Sequence, residues 1–434
     1  MRQKPSRPRL LQAMIDAFSL PDLRKRILIT VGILVVFRFV SHMPLPGLDA
    51  DRLKELFESN ALLGMLDLFS GGAMKQFSVA SMGVYPYITA SIIIILLVPV
   101  IPKLQALSQE GETGKNKINL ITHWLTVPLA GLSGYGQLII LQRDGSVAAS
   151  DPLLTVTIVV SLIAGTMFLV WLGELITEYG IGNGISIIIF GGIVAGYPTL
   201  IQEGFLAKQN PLGLVVYIVI VLITVVLIVI FTEAHRRVPV QYARSVFRGG
   251  RMYRQAGTTH IPLRVNSAGM IPLIFSMSIM LFPGIVASYF DSGEGFAHSL
   301  VVWFNPNTDL PIGLFYWVLY FILSVAFTFF YTIITYQQQD LPGTLQRQGG
   351  FIPGIRPGKN TASYLSSVIN RITWAGALFL AFVAVMPFLA RTFTNVSQIQ
   401  LSSLGMLIVV GVVLDTMKQL EAQLVMRRYE GFIK

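Results

Sequence analysis

Cysteine is absent from this chain of 434 residues, which excludes a disulfide framework, a thiolate metal site and a thiol nucleophile. Charge is nearly as scarce. Asp, Glu, Lys and Arg make up 12% of the residues and the nine apolar types 53%, about half the charge usual in soluble proteins. Mean hydropathy is +0.66. So few charges cannot clothe a water-facing surface, so the length does not read as two or three soluble domains. The five His residues, His42, His123, His235, His260 and His298, are scattered, with no HExxH pattern or other tight cluster of metal ligands. No metal and no cofactor is therefore expected.

A phosphate cradle is also missing. Gly111-Glu-Thr-Gly114-Lys115-Asn116 comes nearest, but Gln109 stands where the first glycine belongs and Asn116 where a Mg²⁺-binding hydroxyl is required. Gly180-Ile-Gly182-Asn183-Gly184 lacks the spacing of a dinucleotide turn and joins two apolar segments, so it reads as a tight loop. Gly131-Leu-Ser133-Gly134 resembles the nucleophile motif of rhomboid intramembrane proteases. Such a serine needs a histidine base on a neighbouring helix, yet His123 lies on the same segment, about 12 Å along the axis at about 1.5 Å per residue. Close helix packing on small residues is the better account.

What the chain has in abundance is long apolar runs, such as 92–101, 213–231 and 404–414. A membrane-crossing helix needs roughly 20 mostly apolar residues. Ten segments qualify: 24–43, 76–102, 118–141, 153–173, 184–201, 212–232, 267–290, 311–335, 371–390 and 401–424. The expected fold class is an all-α integral membrane protein. Residues 1–26 are polar and basic and run into the first segment without a small-residue cleavage site, so the N-terminus should be retained.

Basic residues are distributed unevenly between the two sides. Twenty-five of the 32 Lys and Arg fall on the side of the N-terminus and six on the other, with Arg38 inside the first segment. The positive-inside rule then places both termini and the 233–266 and 336–371 loops in the cytoplasm. Five spans lie in residues 1–201 and five in 202–434, and with an odd number per half, a repeat relating the halves must be inverted.

Leu62, Leu63, Met65, Leu66, Leu68 and Phe69, closed by Gly71-Gly72, form an apolar stretch too short to cross. It reads as a re-entrant half-helix buried in protein or as an amphipathic helix on the membrane surface. Midplane ionisable groups mark transport sites, and Arg38 is the serious candidate, which leaves a secondary transporter as the alternative function. The 233–266 loop carries Arg236, Arg237, Arg244, Arg248, Arg251, Arg254 and Arg264 with Tyr242, Phe247 and Tyr253 interleaved, and no Lys. Orientation alone accepts either base, whereas Arg suits bidentate and stacking contacts. The loop is a topology signal or a docking surface for an acidic or RNA-containing partner.

Four strings carry a resemblance: Met82-Gly-Val-Tyr-Pro86-Tyr-Ile88-Thr-Ala-Ser91-Ile-Ile, Gly180-Ile-Gly-Asn-Gly-Ile-Ser-Ile-Ile-Ile-Phe190, Val265-Asn266-Ser-Ala-Gly-Met-Ile-Pro272 and Phe351-Ile-Pro-Gly-Ile-Arg356-Pro-Gly. They resemble the SecY family, the channel subunits of the bacterial protein translocon, in the expected order along essentially the whole chain. The resemblance implies two five-span halves around an hourglass pore in the plasma membrane. A pore ring would comprise Val84, Ile88, Ile185, Ile189, Ile274 and Ile408, and a plug would occupy about 61–73, with Leu62, Leu66, Phe69, Gly71 and Gly72. Thr89, Asn266 and Phe282 would line a lateral gate, while Arg236, Arg237, Arg244, Arg248 and Arg356 would form a docking site. Implied partners are SecE-like and SecG-like membrane subunits, the SecA ATPase, the ribosome, signal-bearing polypeptides and lipid. No catalysis is implied, since the motor is another protein. The chain departs from the family at Val84-Tyr85, where Ile-Met is common, and at Thr122-His123-Trp124, where Thr-Arg-Tyr is common.

Overall fold

The computed structural model describes residues 18, 20–46, 52–53, 70–143, 152–206, 211–248, 251–290, 295–306, 308, 311–394 and 403–430. Each of the ten apolar segments carries a helix. The first half contains α1 (Pro21–Ser41), α2 (Tyr85–Leu97), α3 (Pro102–Gln109), α4 (Glu112–Arg143), α5 (Pro152–Tyr179) and α6 (Gly184–Leu206). The second contains α7 (Pro211–Glu233), α8 (Ile271–Phe290), α9 (Phe296–Trp303), α10 (Gly313–Gln339), α11 (Leu341–Arg347), α12 (Lys359–Thr394) and α13 (Ser403–Glu430). Among the described residues, Pro152–Tyr179, Gly313–Arg347 and Lys359–Leu389 are long and apolar enough to cross a membrane. The pair α2 and α3, bent by 101°, adds a fourth if taken as one span.

Two expectations need correction. The second apolar segment is not a continuous helix from 76 to 102. Residues 71–84 run as turns and α2 begins only at Tyr85. Pro86 occupies its first turn, where a missing N–H is harmless, and Pro99 and Pro102 break the far end. This irregular run survives because it is enclosed: Ser70, Phe77, Ser78, Ala80 and Val84 are all fully buried or nearly so.

The second correction concerns the all-α class. Residues 235–264 form a hairpin of two 14-residue strands, β1 (His235–Arg248) and β2 (Arg251–Arg264). Its pattern is visible at the base, where buried Val238 and Val240 alternate with exposed Arg237 and Pro239, the period-two signature of a strand with one covered face. A short strand, β3 (Gly350–Phe351), adds to the other edge of β1, giving the order β2-β1-β3. The two large loops thus both contribute to one antiparallel sheet, in which Tyr242 pairs with Gly350 and Gln241 with Phe351. Under it, Val238, Val240 and Leu263 pack against Leu345 of α11, Ile352 and Leu365 of α12. That contact explains why α12 starts at Lys359, well before the apolar stretch expected from 371.

The halves pack differently inside. In the first, α4 and α5 meet on small residues: a β-carbon at Gly134 would lie 3.1 Å from Met82 Sδ and 3.2 Å from Leu162 Cδ1. Without a hydrophobic drive between helices in lipid, such close approach supplies the dispersion contacts that hold them. In the second half aromatic rings do this work. Phe231 of α7 stacks on Phe379 of α12 at 4.0 Å, Phe275 of α8 meets Phe327 and Tyr331 of α10 edge-on, and Trp317 of α10 packs on Phe388 of α12. Between the halves, α6 lies well packed on α13, whereas α8 touches α2 and α4 only lightly.

Candidate functional site

The six aliphatic residues expected to form a ring come from four helices. Val84 stands at the N-cap of α2, and Ile88 lies one turn later. Ile185 and Ile189 are four apart on α6, hence on one face, and Ile274 and Ile408 sit on α8 and α13. All six belong to the large apolar cluster that fills the helical core: Val84, Ile189, Ile274 and Ile408 are buried in it, and Ile88 and Ile185 pack against it. No Asp, Glu, Lys, Arg or His is buried among the described residues; the buried polar side chains are Ser, Thr and Asn266. Branched aliphatics of this kind offer an ion no favourable site while sealing against each other.

The polar groups singled out in the sequence have partners elsewhere. Arg38 Nη1 donates to the carbonyl of Gly71 at 2.7 Å, so the charge a transporter would use is met by backbone of the chain itself. His123 Nε2 lies 3.1 Å from Glu174 Oε1. Asn119 also donates to Glu174 at 3.2 Å and accepts from the Tyr87 hydroxyl at 3.1 Å. This polar group ties α2, α4 and α5 together, and Ser133 has no part in it. Asp415 and Lys418, near the end of α13, also have distant partners: Arg264 lies 3.6 Å from Asp415, and Lys418 is 2.7 Å from Glu233. Nothing in the local sequence announces these pairings, because the residues concerned are 151 and 185 positions apart.

The expected gate residues have separate surroundings. Thr89 Oγ1 donates to Tyr85 O within α2 at 3.1 Å. Asn266 is buried just before α8, with its Cα 3.8 Å from where a Gly376 β-carbon would lie, and Oδ1 has no hydrogen-bond partner among the described residues. Phe282 is 67% exposed on α8. Of the expected plug, Leu62, Leu66 and Phe69 lie outside the described residues, while Gly71 and Gly72 both have positive φ, 67° and 86°.

Arg236 and Arg237 are exposed at the base of β1, and Arg237 Nε donates to His235 Nε2 at 3.2 Å. In backbone register Arg244 pairs with Gln255 and Arg248 with Arg251. Arg356 is exposed on the connection from β3 to α12, where its carbonyl accepts from Thr361 Oγ1 at 3.0 Å. The sheet thus joins the two loops that carry the expected docking arginines.

A family model described as SecY matches residues 78–417. The chain belongs to the SecY family. It is 41% identical over 446 residues to the protein translocase subunit SecY of Streptomyces lividans, covering 98% of this chain and 100% of that one. The SecY subunit of Thermotoga maritima is 40% identical over 434 residues, covering 98% of both. The fold resembles a solved protein-conducting channel with a TM-score of 0.62 at 16% identity, over 96% of this chain and 97% of that one. Sec61 in the canine ribosome-channel complex from the endoplasmic reticulum aligns equally well, with the same TM-score, identity and coverage. The fold of this SecY-family chain is therefore the one that these two structures share.

Proposed function

We propose that the chain is a protein-conducting channel that passes unfolded secretory polypeptides across the bacterial plasma membrane and releases apolar segments sideways into lipid, with no catalysis of its own. The observation that carries this reading is the full-length likeness to translocase subunits at about 40% identity. Ten spans, in inverted halves 1–201 and 202–434, place both termini in the cytoplasm, in keeping with the 25 basic residues on that side. Val84, Ile88, Ile185, Ile189, Ile274 and Ile408 act as a flexible gasket, which the place of all six in the apolar core supports. Residues 61–73 close the channel as a plug. The lightly packed seam between α2 and α8 opens as the lateral gate past Thr89, Asn266 and Phe282, as a separable contact between halves would allow.

The sheet formed by both loops docks the ribosome or SecA through Arg236, Arg237, Arg244, Arg248 and Arg356. SecE-like and SecG-like subunits complete the complex. A photo-crosslinking side chain in place of Ile88 tests the reading against a stalled signal-bearing precursor. Label on the translocating chain is the expected result. Label confined to a probe at Phe282, with none from position 88, overturns it.

A further inference from the structure

Arg38 is half-buried in the last turn of α1, where its donors find a partner inside the protein rather than in water. Its Nη1 meets the Gly71 carbonyl at 2.7 Å, a contact between residues 33 positions apart, in a charge-assisted hydrogen bond. Gly71 has φ of 67°, and a β-carbon there would collide with the backbone of Gly192 on α6. Conversely, a β-carbon on Gly192 would lie 2.8 Å from Gly71 Cα. Backbone therefore rests on backbone, which only a pair of glycines permits.

The position of Gly192 gives this contact its meaning. It follows Ile185 by seven residues and Ile189 by three, so all three share one face of α6. The bend that starts at Gly71 is thus seated on the stripe that carries two of the ring isoleucines, and it ends at Val84, a third ring residue that is fully buried. The chain just past α1 holds the same bend a second time: Leu45 N donates to Phe77 O at 3.2 Å and Val79 N to Met43 O at 3.1 Å.

We propose that Arg38 is a positioning residue for the constriction: by holding Gly71 on Gly192 it fixes the bend that delivers Val84 to the ring. The proposal rests on the channel reading above and adds a residue to it that lies outside the ring, the gate and the docking surface. Losing one charge-assisted hydrogen bond shifts a two-state balance by about tenfold, so the resting state loosens without loss of the transport path.

The test uses the full chain, purified with its co-purifying membrane subunits and reconstituted in planar bilayers. Arg38→Leu is expected to raise resting ion conductance by about tenfold and to admit precursors with weakly apolar signals, while transport of a strong-signal precursor continues. Arg38→Lys, which keeps a charged donor, should return conductance toward the native level. Gly192→Ala provides a second route, since its methyl pushes on Gly71 without removing charge, and it should leak likewise. Native conductance and stringency in Gly192→Ala, or in a folded Arg38→Leu protein, overturns the proposal. Ile408→Asn serves as the reference: if it leaks and neither other variant does, Arg38 has no such role and the ring stands. If none leaks, the ring reading falls with it.

Discussion

Lys418 and Glu233 lie 2.7 Å apart, joining the last helix to the residue from which the hairpin departs. Arg264, at the other end of the hairpin, lies 3.6 Å from Asp415 on the same helix. The hairpin is thus tethered to α13 on either side of its base, and α13 also carries Ile408. Lys418→Glu should loosen this base, and because both side chains are partly exposed the loss of stability is small, about 0.2–1 kcal/mol. The informative measurement is motor- or ribosome-driven transport, expected to fall in Lys418→Glu and to recover when Glu233→Lys is added. Equal rates in the single and double variants would show that the pair plays no part.

Ile408 is fully buried in the apolar cluster. Asparagine there places an amide among branched aliphatics, a change of roughly 1–3 kcal/mol when the polar group finds no partner. The closed state bears that cost more than a wetter, open one. Ile408→Asn should therefore raise resting conductance and let weakly hydrophobic signal sequences through. Unchanged stringency would count against the ring.

Arg356 is exposed, and its carbonyl accepts from Thr361 Oγ1. Arg356→Glu should leave stability within about 0.5 kcal/mol of the native protein and abolish transport driven by a docked partner. A circular dichroism melt matched to the native one, together with native transport rates, would remove Arg356 from the docking surface.

Gly350 faces Tyr242 across the β1–β3 pairing, and a β-carbon there would lie 2.8 Å from Tyr242 Cε1. Gly350→Val should separate β3 from β1. Amide exchange at residues 350–351 and 241–242 should quicken, and docking should weaken although no arginine has been touched. Unaltered exchange at these amides would show that the sheet accommodates the side chain.

Local composition and periodicity were enough to reveal the apolar helices and the break at Gly71-Gly72, because each depends on neighbours in sequence or on partition into lipid. Composition near the hairpin was less telling. Arginine content marked 233–266 as unusual, but the alternation of Val238 and Val240 is short, and β3 lies about 110 residues further on, a pairing no local pattern encodes. The segment from 76 read as helix because it is apolar. Its turns are held by hydrogen bonds with Arg38 and with Met43 and Leu45, and by close packing on Gly165 of α5 and Gly192 of α6.

The sequence by itself determined that this chain lives in lipid and where its apolar helices lie, since the cost of burying a charge or an unpaired peptide group in a bilayer acts residue by residue. Only the tertiary structure decided that Arg38 serves Gly71, that His123 lies against Glu174 and that two loops form one sheet. Those partners are distant in sequence, and a polar group in an apolar setting takes its role from whichever partner the packed helices bring within reach.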